Sequence, residues 1–100
     1  MYKEVQERIA KCKRTKAKSL NLRRLKLTEI PAEINELVWL EQLNLRSNKI
    51  SEIKGLEKLT ALTTLHLSYN QISEIKGLEK LTALKGLFLS SNQIIEIKHK

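Results

Sequence analysis

Residues 51–62 read SEIKGLEKLTAL, and residues 73–84 repeat the same twelve letters 22 positions later. The period continues on both sides of this pair. Strings of the form L-x-x-L-x-L-x-x-N-x-I begin at Leu40, Leu62 and Leu84 and read LEQLNLRSNKI, LTTLHLSYNQI and LKGLFLSSNQI. A fixed period of roughly 20–50 residues is typical of repeat architectures, in which each unit is completed by its neighbours.

Each unit combines a two-residue and a three-residue periodicity. In Leu43-Asn44-Leu45 the leucines share one face and Asn44 takes the other, which predicts a strand, and residues 65–67 and 87–89 follow the same pattern. The apolar residues after the strand recur every third position: Ile50, Ile53, Leu56, Leu59 and Leu62. That step favours 3₁₀ turns and tight coil over a long α-helix. We therefore expect adjacent parallel strands joined by right-handed crossovers.

These units resemble the leucine-rich-repeat family, and their 22-residue length and isoleucine-rich endings resemble its internalin and phosphatase-regulator subclass. The resemblance covers residues 20–97. It implies an α/β solenoid: a right-handed coil with one short parallel sheet on the concave face and 3₁₀ turns and coil on the convex side. It also implies that Asn48, Asn70 and Asn92 form an internal ladder that hydrogen-bonds the backbone where the chain leaves each strand.

The first unit departs from the others. It has Leu25 where they have asparagine, and its step to the next unit is 23 residues. An atypical unit is expected at the end of a solenoid, where it meets a cap, and the loss of the amide leaves the hydrogen bonding at this position open. Residues 8–34 are also similar to the start of the repeat region in bacterial multidomain proteins, including Roco-type GTPases.

The N-terminal segment predicts a capping helix over residues 2–16. Its apolar stripe consists of Tyr2, Val5, Ile9 and Cys12, and the remainder is mostly charged. We expect residues 1–19 to form the cap and residues 20–100 to form about four repeats without a C-terminal cap. The strand at 87–89 would then be an open edge. The chain is accordingly either part of a longer repeat protein or able to self-associate through that edge.

Composition points to a cytoplasmic protein. Cys12 is the single cysteine, so no internal disulfide can form, and it fits either a reducing compartment or a buried structural thiol. No apolar run approaches the roughly 18 residues that a membrane span needs. The charged N-terminus also lacks the hydrophobic core of a signal peptide.

The positive charge is concentrated at the N-terminus. The net charge is +8, and residues 1–27 hold ten Lys or Arg against two Glu, whereas residues 28–100 hold nine of each sign. A basic patch is the electrostatic footprint of polyanion binders, so binding of a nucleic acid or an acidic membrane through the N-terminal helix is one hypothesis. Because few aromatic residues accompany the charge and a cap needs a charged outer face, the sequence favours a protein partner over a nucleic acid.

The outward positions of the strands define what we call the concave sheet face. Its central column is Asn21, Asn44, His66 and Phe88, flanked by Ser19, Gln42, Thr64 and Gly86 on one side and by Arg23, Arg46, Ser68 and Ser90 on the other, with Arg24, Ser47, Tyr69 and Ser91 beyond. Arginine and aromatic residues are enriched among interface hot spots. The residues we expect to bind a protein are Asn44, Arg46, His66, Tyr69 and Phe88. Trp39 lies off this face and is expected to pack or to make a lateral contact.

Nothing in the sequence supports catalysis or a bound cofactor. The chain contains no Asp, which excludes a Ser-His-Asp constellation, and it has no phosphate-binding glycine loop. A metal site would require Cys12, His66 and His99, which belong to the cap, the sheet and the C-terminus. The sequence therefore predicts a non-enzymatic protein–protein interaction module. A repeat scaffold without a native ligand is the remaining alternative.

Overall fold

Four parallel strands form one sheet whose order follows the chain. The computed structural model describes residues 2–94. Its strands are β1 (Ser19–Asn21), β2 (Gln42–Asn44), β3 (Thr64–His66) and β4 (Gly86–Phe88), in the order β1-β2-β3-β4. Leucines at equivalent repeat positions are paired in register: Leu20, Leu43, Leu65 and Leu87. The solenoid that the period predicts is therefore confirmed.

The core is a continuous stack of leucine and isoleucine side chains. Leu43, Leu65 and their return-path counterparts Leu56 and Leu59 are at most 1% exposed. The return paths of the first three coils turn by i to i+3 hydrogen bonds: in the second coil, for example, the Leu59 N–H donates to the Leu56 carbonyl at 3.0 Å. In the first coil these turns extend into a short 3₁₀ helix at Ala32–Glu36. The three-residue step predicted this geometry.

A helix caps the first coil. Helix α1 spans Tyr2–Thr15 and buries Val5, Ile9 and Cys12. Tyr2, the first residue of the predicted apolar stripe, is 48% exposed and does not join the other three in the core. At the first helical residue, it borders an open groove. The helix ends because Lys16 adopts a left-handed φ of 56°. The Ala17 N–H then donates back to the Cys12 carbonyl, as in a Schellman motif.

The helix also covers the otherwise open edge of β1. Arg8 Nη1 donates to the Asn21 carbonyl at 2.8 Å, and Glu4 holds the same guanidinium at 2.9 Å. An uncovered strand edge presents unpaired backbone groups to other chains. The cap therefore supplies a side-chain hydrogen bond to the backbone at the end of β1, in addition to the apolar side chains that it buries against the first coil.

The regular 22-residue spacing of Asn48, Asn70 and Asn92 produces a repeated set of hydrogen bonds between coils. Asn70 Oδ1 accepts the Ile50 N–H at 2.9 Å, and its Nδ2 donates to the Leu45 carbonyl of the preceding coil and the Leu67 carbonyl of its own. Asn48 and Asn92 make equivalent bonds. Each amide therefore ties its own coil to the one before it.

This direction explains the missing asparagine of the first coil. The N–H groups of Leu25 and Leu27 both donate to Asn48 Oδ1, at 3.1 and 2.9 Å. Hydrogen bonding at Leu25 is thus supplied by the second coil. An amide at position 25 would have no preceding coil to bond, and the apolar side chain found there is 8% exposed within the core.

The fourth coil is less completely buried than the others. Leu87 and Leu89 are only partly buried, and Ile75, on the return path of the third coil that faces it, is 53% exposed. Among residues 2–94, β4 pairs with β3 alone. The predictions that concern Glu96, Lys98 and His99 fall outside the described residues.

We predict that Leu25→Asn, which restores the repeat pattern, destabilises the protein by about 2–4 kcal/mol, because it removes buried apolar surface and buries an amide that has no preceding coil to bond. Urea denaturation followed by circular dichroism measures this. Leu25→Met, which keeps the apolar volume, should stay within about 1.5 kcal/mol of the parent. An unchanged or higher stability for Leu25→Asn would contradict the backward direction of the ladder.

Candidate binding surface

The structure places the predicted outward column on adjacent strands. Asn44 pairs with Asn21 and His66, and His66 pairs with Phe88. Asn21 and Phe88, at the two ends of the column, are exposed, Phe88 by 47%, and Asn44 and His66 between them are half-buried. The concave sheet face therefore presents these side chains while the intervening leucines fill the core.

His66 and Phe88 form a stacked ring pair. Their centroids are 4.4 Å apart and their planes differ by 12°. The backbone of Gly86 makes room for the Phe88 ring, since a Cβ at that glycine would lie 3.3 Å from Phe88 Cε2. Phe88 thus lies across its own strand, and the pair is an apolar platform whose rings hold one another in place, worth about 0.5–1.5 kcal/mol.

Arg46 and Tyr69 form a second pair beside the first. The Arg46 guanidinium lies over the Tyr69 ring, 4.9 Å from its centroid. Tyr69 has a left-handed φ of 61°, and the equivalent residues Arg24, Ser47 and Ser91 have φ values of 58–60°. The turn that ends each strand therefore imposes this conformation, which is uncommon for a bulky residue. It brings the Tyr69 ring within reach of the preceding coil.

The remaining predicted contact residue, Asn44, is engaged inside the chain. Its Oδ1 accepts the Arg46 N–H at 2.9 Å, and Asn21 bonds Arg23 in the same way at 3.1 Å. Its amide nitrogen remains as a donor. Ser68, an outward position in the sequence pattern, is only 7% exposed and lies 3.0 Å from Ser90 through their hydroxyl oxygens. It offers little surface to a partner.

Sequence reasoning did not assign a role to Gly86. The signal was present, because residues two apart on a strand share a face and Gly86 takes the position held by Gln42 and Thr64 in the other units. A glycine two residues before an aromatic residue on a strand indicates that the aromatic ring can pack flat against the sheet. The sequence identified Phe88 without indicating how it is seated.

Comparison with known proteins agrees with this geometry. A family model described as "Leucine rich repeat" matches residues 15–72, and one described as "Leucine Rich repeats (2 copies)" matches residues 60–99. The chain belongs to the leucine-rich-repeat family. No curated protein matches the chain significantly. Leucine-rich-repeat domains in general mediate protein–protein interaction and are typically non-enzymatic.

Among solved structures, this leucine-rich-repeat chain is similar to an internalin from Listeria monocytogenes. The two share 36% sequence identity with a TM-score of 0.73, over 80% of this chain and 23% of the internalin. The chain therefore corresponds to less than a quarter of that protein's length. The internalin subclass expected from the repeat length is thus supported, whereas the Roco-type resemblance stays a prediction.

A groove lies on the flank of the first two coils. It encloses about 950 Å³ and is lined by residues 25–33 together with Tyr2, Lys54 and Gly55. Its origin is the irregular step between units. A Cβ at Gly77 would lie 2.6 Å from the Ile53 carbonyl oxygen of the preceding coil, whereas a Cβ at the equivalent Gly55 would meet nothing within 4 Å. The return paths of the first and second coils are therefore farther apart at this position than those of the second and third coils.

A further cluster joins the cap to the repeats through Trp39. The Lys16 ammonium lies 4.5 Å from the centroid of the half-buried indole. Burial raises the pKa of the Cys12 thiol, and the neighbouring Trp39 indole offsets part of that rise. The thiol donates to the Ala17 carbonyl at 3.3 Å, whereas the buried Trp39 Nε1 lacks a partner with hydrogen-bond geometry within the described chain. Trp39 therefore packs under the cap, off the concave sheet face.

Two properties of residues 2–94 bear on other kinds of site. No group of three or more His, Cys, Asp or Glu side chains comes together there in a way that could hold a metal ion. No helix in this range is long and apolar enough to cross a membrane.

The groove generates a paired prediction. Gly55 and Gly77 both have φ near +76°, so alanine is strained at either position by about 1–2 kcal/mol. Gly77→Ala should destabilise the protein by at least about 1 kcal/mol more than Gly55→Ala, because only its methyl group meets a backbone oxygen. Parallel urea titrations measure the difference. Equal losses would show that the coils are spaced alike on both sides.

The buried thiol generates a pH prediction. Since burial raises the pKa of Cys12 above its ordinary value of 9.0, the folded chain holds this proton more tightly than the unfolded chain. The resulting stability is complete below about pH 9 and is lost as the pH rises through the folded-state pKa. The stability difference between the parent and Cys12→Ala should therefore shrink from about pH 9 upwards. A difference that is constant with pH would refute it.

Proposed function

We propose that this leucine-rich-repeat domain binds a protein partner through its concave sheet face. The supporting observation is the pair of preformed contacts, His66 on Phe88 and Arg46 on Tyr69, on one exposed surface. Aromatic and arginine side chains dominate interface hot spots. Each side chain that is already ordered before binding spares about 0.5–1.5 kcal/mol of ordering free energy.

The leucine-rich repeats leave this face open while the convex side is built from turns. Parallel sheets are usually covered on both faces, yet within residues 2–94 helix α1 covers the edge of β1 and leaves the outward face uncovered, since Phe88 and Tyr69 are 47% and 51% exposed. Extended surfaces of this kind are what solenoids use for recognition. The concave sheet face is therefore our choice over the flank groove.

Polyanion binding through the basic N-terminal segment is less well supported. Arg8, Lys13 and Lys18 pair with carboxylates at 2.9–3.6 Å, and Lys16 lies on the Trp39 ring. Much of the positive charge of the cap is thus engaged with the protein itself. Salt dependence distinguishes the two functions, because polyanion affinity falls steeply as counterions are released.

Other predictions remain open within this proposal. A cytoplasmic location is supported by the single buried thiol, and a bacterial origin by the listerial structural neighbour. Self-association through the edge of β4 and membership of a longer protein stay predictions. A scaffold without a native ligand is the outcome if no partner engages the concave sheet face.

Site-specific photo-crosslinking tests the proposal. A benzophenone amino acid is placed at Phe88, on the concave sheet face, or at Ile75, whose exposure is similar at 53% but which lies on the return path. In a lysate of the source organism, we expect protein adducts from position 88 that are absent from position 75. Adducts at 75 alone, or none at either position, would contradict the proposal.

A further inference from the structure

Charge is distributed unevenly over the concave sheet face. None of its outward positions holds an Asp or Glu, and its three charged side chains are Arg23, Arg24 and Arg46 in the first two coils. The third and fourth coils contribute the rings of His66 and Phe88. The cations of the face therefore lie at one end and the stacked rings at the other.

The three arginines are not neutralised by the described part of the chain. All three are exposed, and no carboxylate of residues 2–94 lies within ion-pair distance of them, because the pairs found there involve Arg8 and lysines only. Arg46 instead rests on the Tyr69 ring. A guanidinium stacked on a ring keeps its in-plane N–H donors available, and its planar fork matches a carboxylate in two-point contact.

The sheet sets the distance between the two ends. Parallel strands lie about 4.8 Å apart, so three strand spacings place Arg23 about 14 Å from Phe88 across the sheet. An extended peptide advances about 3.3 Å per residue. A segment that crosses the strands therefore covers the distance from the arginines to the ring platform in about four residues.

We propose that the partner presents an acidic peptide segment followed, about four residues later, by an aromatic or large aliphatic side chain. The carboxylates bind Arg23, Arg24 and Arg46, and the apolar side chain covers the exposed side of the His66–Phe88 pair. Asn44, whose Nδ2 remains a donor, lies between them and faces the peptide backbone. This inference rests on the proposed function and adds the chemistry of the ligand.

An acidic peptide fits this face better than a single-stranded nucleic acid. Such nucleic-acid sites interleave cations with aromatic platforms along the strand, whereas here the outward positions of the third and fourth coils hold no Lys or Arg. His66 and Phe88 also cover one face of each other, at 4.4 Å. A base would find a single platform, and the phosphates beyond it would meet serine and threonine.

The test uses the full chain, labelled with ¹⁵N, and a synthetic probe peptide with glutamates at its first three positions and tryptophan four residues after the first. We expect saturable shifts of amide signals in β1 to β4. Replacing the glutamates by glutamines, or the tryptophan by alanine, should each weaken binding by about tenfold. Oligothymidylate serves as the nucleic-acid probe and should bind more weakly than the peptide.

Matched variants assign the effect to the arginines. Arg46→Gln should weaken the probe by at least about fivefold, while Lys58→Gln, the same charge change at an exposed position off the sheet, should change it by less than about twofold. Equal effects of the two variants, or tighter binding of oligothymidylate than of the peptide, would overturn the inference. Circular dichroism verifies that both variants are folded.

The crosslinking experiment separates this inference from the proposed function. If the adducts at position 88 disappear in Arg46→Gln, both the proposed function and the acidic-ligand inference are supported. If the adducts persist in a variant with Arg23, Arg24 and Arg46 all changed to glutamine, the acidic ligand is wrong and concave-face binding remains. If no adduct forms at position 88 in the parent, the proposed function itself fails.

Discussion

Every coil of this solenoid depends on its neighbours for both its core and its hydrogen bonds. The amide of Asn70 bonds backbone groups in its own coil and in the preceding one, and leucines such as Leu43 and Leu65 are buried only because the coils stack. A single unit could neither bury its leucines nor complete these hydrogen bonds. The stack fixes the strand spacing and the register, and these in turn decide which outward side chains become neighbours.

The ring pairs of the concave sheet face follow from that constraint. His66 and Phe88 are 22 residues apart and therefore lie side by side in register. Arg46 and Tyr69 are 23 residues apart and meet diagonally, which requires the left-handed turn at Tyr69. Residues that are far apart in the sequence thus become neighbours on one surface, because the same coil geometry is repeated in every unit.

The sequence was sufficient for the backbone and only partly sufficient for the surface. Periodicity predicted the strands, the three-residue return path and the outward column, because each of these is set by spacing alone. It could not predict that Phe88 lies down on Gly86 or that Tyr2 is exposed. Those outcomes depend on rotamers and on the irregular 23-residue step, for which the other units offer no template. The flank groove beside Gly55 also results from the 23-residue step, and the repeat pattern did not predict it.

The twelve-residue segment SEIKGLEKLTAL occurs twice without any difference in sequence, but its two copies lie in different environments. Ile53 is 1% exposed, whereas its twin Ile75 is 53% exposed, and Leu56 is fully buried where Leu78 is only partly so. The same twelve residues therefore stand in two environments within residues 2–94 without any change of residue. Insertion or deletion of whole 22-residue units by gene duplication would consequently require no compensating substitution at the junction. The number of coils, and with it the length of the recognition surface, is open to rapid evolutionary change.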